Sequence, residues 1–167
     1  MIFYLVTPLI LIGASSLGLI INPSWSISPF IWVFVLVPLI DLALPYLSKQ
    51  DVDLKENVLH NFSILIILPC ILFLIVFGLI VVSNSNISFL IAATLGAAVG
   101  MSGGSIGITT AHELIHRQNK YMRGIGVLLL VLCCYGHFRI EHVYGHHKHV
   151  ATKEDPATAR KGENFYF

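Results

Sequence analysis

Long unbroken apolar runs, not alternation or a helical stripe, set the pattern of this chain. Residues 2–21 carry no charged side chain, and the first charge anywhere is Asp41. At 1.5 Å of rise per residue, such a run forms a helix of about 30 Å, the thickness of a bilayer's hydrocarbon layer. Asn22-Pro23-Ser24 breaks the run, since proline beside short polar residues marks a turn. A second apolar run occupies 28–47, and the two predict a transmembrane hairpin. A cleavable signal peptide is the competing reading of the first run. It is disfavoured because no basic leading region and no small-residue cleavage site is present. A polar loop over 48–60 follows, then a third run at 62–82, a tight turn at Ser83-Asn84-Ser85-Asn86 and a fourth run at 87–111. In the fourth run Gly96, Gly100 and Gly104 recur every four residues. Ridges of small residues let helix backbones approach closely in lipid, so packing is their expected role. The alternative is room beside the helix for a slender ligand.

The next segment, 124–138, has fifteen residues without a charge between Arg123 and Arg139. As helix it measures about 22 Å, short for a full span, and it predicts a re-entrant or interfacial helix. The basic residues agree. With four spans and this segment not crossing, Lys49 and Lys55, then Arg117, Lys120 and Arg123, then Arg139, Lys148, Lys153, Arg160 and Lys161 all fall on one side. The positive-inside tendency makes that side the cytoplasm. A crossing segment would move the last five across and erase the bias. The expected fold class is therefore an all-α integral membrane protein, a single membrane domain over 1–167. It has four transmembrane helices in two hairpins plus the short helix, and 139–167 is a cytoplasmic metal-binding segment. No internal repeat or linker is visible.

Composition narrows the class further. The chain is 56% hydrophobic and 11% charged, with a mean hydropathy of +0.80, where soluble proteins carry about 25% charged residues. That excludes a water-soluble domain, a disordered tail and a nucleic-acid binder, and the net charge of +1 offers polyanions nothing. Cys70, Cys133 and Cys134 lie in apolar stretches without a Cys-x-x-Cys pair, so neither a disulfide framework nor a zinc knuckle is indicated. Histidine is the outlier: five of the eight fall between His137 and His149.

Two of these histidine groups have ligand spacing. His112-Glu113-Leu114-Ile115-His116 places two imidazoles one helical turn apart on one face. Alone it also reads as a zinc-protease motif with Glu113 as general base. Glu141-His142-Val143-Tyr144-Gly145-His146-His147 adds a second such pair and an adjacent third ring. Each buried imidazole needs partners for both nitrogens, so three within six residues point to metal. His112, His116, His142, His146 and His147 exceed the three or four ligands one zinc takes, which suits two metals better than one. Nitrogen ligation without cysteine fits iron used for oxygen chemistry, with zinc, copper and nickel left open by ligand type. Glu113 and Glu141 flank these histidines and are placed to orient imidazole N–H groups, and His137 sits nearby in a supporting or packing role. His60 and His149 read as solvated or surface residues.

At this point the sequence resembles a known family. The run Thr109-Thr110-Ala111-His112-Glu113-Leu114-Ile115-His116-Arg117 is similar to the first histidine box of the membrane-bound alkane 1-monooxygenases, which are non-haem di-iron enzymes. The stretch from Tyr135 through His142, His146, His147 and His149 to Thr152 resembles their second box. Glu154-Asp155-Pro156-Ala157-Thr158-Ala159-Arg160-Lys161-Gly162-Glu163 continues the pattern, with Lys153 where proline is common. The upstream hairpins agree in layout only, Pro38-Leu39-Ile40-Asp41 being a weak match to the end of the family's second helix.

The resemblance implies a terminal hydroxylase that uses O₂ to convert medium- or long-chain n-alkanes to 1-alkanols. It implies two iron ions and electrons from rubredoxin and its reductase, in a bacterial inner membrane with the metal site facing the cytoplasm. The carried-over iron ligands are His112, His116, His142, His146 and His147; His137 and His149 are not ligand positions in the pattern. No four-cysteine electron-transfer site exists in the chain, so the donor is a separate protein, and a basic cytoplasmic face suits an acidic one. The family has two further transmembrane helices and further histidine motifs downstream. The chain ends at Phe167 before them and is read as a fragment of a longer frame, or secondly as a truncated, inactive paralogue. The rival functions are a related di-iron xylene hydroxylase or lipid desaturase, a membrane zinc metalloprotease built on His112, Glu113 and His116, and a remnant without activity.

Overall fold

The computed structural model describes residues 2–43, 58–84, 86–155 and 157–164. Most of the loop expected over 48–60, with Lys49 and Lys55, lies outside them, as does the side chain of His60. Helix α1 (Ile2–Ile20) reverses at Ile21 and Asn22, where Asn22 Oδ1 accepts the Ser24 N–H at 2.9 Å. Helix α2 (Pro23–Ala43) starts with a tight turn, proline supplying the first helical φ. It carries one widened turn, marked by the Val37 N–H bonding to the Trp32 carbonyl. Helix α3 runs as Val58–Leu65 and, past Ile66, as Ile67–Asn84. Helix α4 (Phe89–Ile115) is capped by Ser88, whose Oγ accepts the Ile91 N–H at 3.3 Å. Helix α5 (Lys120–Leu132) is capped by Asn119, which accepts the Tyr121 N–H at 2.8 Å. Helix α6 covers 138–149.

Among the described residues there is no strand, and the fold is the all-α membrane type the apolar runs predict. Three helices are long and apolar enough to cross a bilayer: Pro23–Ala43, Asn61–Asn84 and Phe89–Ile115, of 21, 24 and 27 residues. Helix α1, of 19 residues, stands where the first span is expected. Apolar side chains point outward, among them Phe34, Leu42, Leu79, Phe89 and Leu90. Water would penalise such a surface and lipid would not. The core lies between α1, α3, α4 and α5, with Leu74, Ala111, Leu129 and Leu130 fully buried. One polar contact ties α1 to α4: Ser15 Oγ donates to the Ala98 carbonyl at 3.0 Å and shares a hydrogen bond with Ser102 Oγ at 2.7 Å. In an apolar setting such a bond contributes about 0.6–2 kcal/mol.

Two features of α4 position the histidines. At 27 residues it measures about 40 Å against about 30 Å of hydrocarbon, so its last turns extend past the apolar layer. After a short turn, α5 folds back along it at very close range. A Cβ on Gly126 would lie 2.7 Å from Leu114 Cβ and 3.0 Å from the Ala111 carbonyl oxygen. By Cys133 the chain has returned to the level of Gly103, whose carbonyl accepts the Sγ–H at 3.4 Å. Cys134 turns it at φ 55°, and α6 climbs back to the His112 end.

The glycine ridge behaves differently from the packing role expected of it. A Cβ at Gly96, Gly100 or Gly104 would meet nothing within 4 Å. These glycines open onto an apolar groove of about 330 Å³ walled by Ile71, Leu74, Ile75 and Ile108. Four-residue spacing of small residues reports a low ridge, not what fills the space above it.

Candidate metal centre

The end of α4 presents His112 and His116 one turn apart, with ring centroids at 4.9 Å. Across from them α6 presents His142. In a regular helix residue i+5 lies about 140° around the axis from residue i, which would send His147 away from His142. The turn Glu141–His146 contains an extra residue, marked by the His147 N–H bonding to the His142 carbonyl. Widened turns of this kind are frequent at functional sites. Here the extra residue brings His147 back over His142, their Nε2 atoms 3.0 Å apart. His142 Nε2 is also 2.7 Å from His112 Nε2, and the His116 and His147 rings lie 4.8 Å apart. Phe138 stacks on the His142 ring at 4.7 Å and forms an apolar floor.

Ligand nitrogens of His112, His116 and His142 all lie within 4.8 Å of one another. Two nitrogens bound at about 2.1 Å to one ion are at most about 4.2 Å apart, so a small side-chain adjustment closes the site. Its electrostatics favour the form a metal needs. Burial first, then the neighbouring imidazoles, lower the His142 pKa to about 4. The same causes, with His112 and His147 as the neighbours, lower that of His116. Both rings therefore present lone pairs at neutral pH. The donor set fits a metal that accepts imidazole nitrogen, iron among them.

The remaining expected residues separate. His146 stands beside the cluster, its ring parallel to that of His142 at 5.5 Å, and its Nδ1 lies 2.8 Å from Asp155 Oδ2. Glu113 forms an ion pair with Arg117 at 2.5 Å. Glu141 is exposed, and among the described residues no hydrogen bond engages its carboxylate. His137 is exposed and packs edge-on against Tyr135 at 4.7 Å. The acid that does hold a histidine is Asp155, which reading of the motifs missed. The only hint was its place in the Glu154-Asp155-Pro156 run, nine residues past His146.

The fatty acid desaturase family profile matches residues 85–167. Alkane 1-monooxygenase of Acinetobacter baylyi is 45% identical over 91 residues, 54% of this chain and 22% of that protein. Alkane 1-monooxygenase 2 of Pseudomonas aeruginosa is 48% identical over 69 residues, 41% of this chain and 18% of its own length. Alkane 1-monooxygenase 1 of the same organism is 32% identical over 151 residues, 85% of this chain and 39% of its own length. The matched stretches thus span well under half of these relatives. No solved structure matches the chain. Both histidine motifs lie inside residues 85–167, which match the fatty acid desaturase family, and the chain is a homologue of the alkane 1-monooxygenases.

Proposed function

We propose that this chain supplies the first histidines of a non-haem di-iron centre that hydroxylates n-alkanes at the terminal carbon with O₂. The observation that carries the reading is the convergence of two distant motifs. His142 Nε2 lies within 3.0 Å of both His112 and His147 in a chain homologous to alkane 1-monooxygenases. His112, His116, His142 and His147 would hold metal directly, with His146 beside them. Five nitrogen donors exceed what one tetrahedral ion takes, which supports two. Iron bound there would supply the oxygen-dependent redox chemistry.

The protein's own part is positioning and exclusion of water. An alkane has nothing to hydrogen-bond, so shape must hold it. The groove beside Gly96, Gly100 and Gly104 runs from the lipid-facing flank to Ile108, one turn before His112. It offers a dry path from bilayer to metal. Phe138 shields the opposite side of the His142 ring. Arg117, Lys120, Arg123, Arg139 and Lys148 surround the histidine end, a face suited to an acidic electron carrier such as rubredoxin, served by its reductase. The same charge supports a cytoplasmic orientation for that end, in an inner membrane. The protease reading is disfavoured because Glu113, its required base, is engaged by the Arg117 guanidinium.

The test joins residues 1–167 to the remainder of the A. baylyi enzyme and supplies octane, xylene and acyl lipid with NADH, rubredoxin and reductase. The expected product is 1-octanol, dependent on rubredoxin and abolished by His142→Ala. Benzylic alcohol or a desaturated acyl chain as the sole product would overturn the substrate assignment.

A further inference from the structure

A hydrogen-bond network outside the helices surrounds Asp155. Residues 150–154 are all exposed, yet Asp155 is only 4% exposed. Its Oδ2 accepts the Thr158 hydroxyl and lies 2.8 Å from His146 Nδ1, and its Oδ1 accepts the Ala157 N–H at 3.0 Å. The loop is built to deliver it. Ala151 adopts φ 64°, a left-handed conformation uncommon for a residue with a Cβ, and its N–H donates to Thr158 Oγ1 at 3.1 Å. Thr152 Oγ1 donates to the His149 carbonyl at 2.6 Å. These contacts fold the tail back onto α6. Both carboxylate oxygens thus act as acceptors, Oδ1 from Ala157 and Oδ2 from Thr158.

An ionised carboxylate only accepts. The hydrogen in the 2.8 Å Asp155–His146 contact therefore sits on Nδ1, and a ring held this way that ligates metal does so through Nε2, across the ring. We propose that Asp155 is a positioning residue for His146, fixing it in the Nδ1–H form with Nε2 directed to the metal centre. The inference rests on the reading of His146 as a metal ligand. Carboxylates behind ligand histidines fix ring orientation and raise basicity, and losing one typically weakens metal binding about 10–100-fold.

Two readouts on the whole chain in detergent test it. The first needs no metal: nitrogen-15 histidine spectra at pH 8 report which ring nitrogen carries hydrogen. Wild type is expected to show His146 as Nδ1–H and Asp155→Ala to lose that preference. An Nε2–H ring in wild type overturns the proposal, whatever the variants do. The second is Co²⁺ titration followed by visible absorption. Asp155→Ala is expected to weaken binding about 10–100-fold. Asp155→Asn, whose amide oxygen still accepts the N–H, should lose less. In a His146→Ala background Asp155→Ala should cost nothing more, whereas a merely structural role would cost the same with or without His146. If His146→Ala leaves Co²⁺ affinity unchanged, the ligand reading fails, and the metal-free spectrum still decides whether Asp155 sets the tautomer.

Discussion

At the scale of single residues the centre hinges on His142, the ring that faces His112, His116, His146 and His147 together. His142→Ala should weaken Fe²⁺ binding by more than about 100-fold, beyond the loss of a merely supporting partner. His137→Ala, whose ring packs on Tyr135, should change it less than about twofold; isothermal titration of the two variants decides. The lowered pKa of His142 also has a stability consequence. The unfolded ring titrates near its ordinary 6.5 and the folded one near 4, so between those values the unfolded state binds more protons. The metal-free chain should therefore be fully stable above about pH 6.5 and lose stability as pH falls toward about 4. In His142→Ala the part of that loss due to this ring should vanish from thermal melts run across the range. The His112–His116 pairing was legible in the sequence, because helical spacing alone sets those rings one turn apart. The His142–His147 contact was not. It depends on an extra residue within Glu141–His146, and nothing in the order Glu-His-Val-Tyr-Gly-His announces a widened turn. Asp155 was equally hidden, since loop closure through Ala151 and Thr158 has no periodicity to read.

At the scale of elements, glycines with different surroundings separate packing from open space. Gly126 lets α5 touch the backbone of α4 beneath His112. Gly126→Val should destabilise the chain by about 1–3 kcal/mol through overpacking and should also lower metal affinity, because α6 follows α5. Gly104→Ala meets open space, so melts should shift by no more than about 0.5 kcal/mol or rise slightly from helix propensity. A Gly104→Ala variant as damaged as Gly126→Val would mean that the groove is closed. Apolar run length read the helices well, and three of the four expected spans appear as long helices. The first appears as the 19-residue α1, and run length says little only about the end of α4, which continues to Ile115 because the histidine turn keeps helical hydrogen bonding.

Across the whole molecule, both histidine motifs and the basic residues of 117–148 gather at one end of an apolar helical bundle. The short segment between them dips to Gly103 and returns. The cytoplasmic assignment predicts that a single cysteine at Lys153, in a chain with the native cysteines replaced by serine, reacts with a membrane-impermeant maleimide only when the inner face is exposed. One at Asn22 should react only from the outer face. If two motifs separated in sequence share one metal, X-ray absorption at the iron edge of the anaerobically Fe²⁺-loaded chain should show an iron shell dominated by imidazole nitrogens at about 2.1 Å. Ring scattering from His112, His116 and His142 is expected, with a loss of that scattering in either His112→Ala or His142→Ala. An oxygen-only shell, or one that a change in either motif leaves intact, would contradict it.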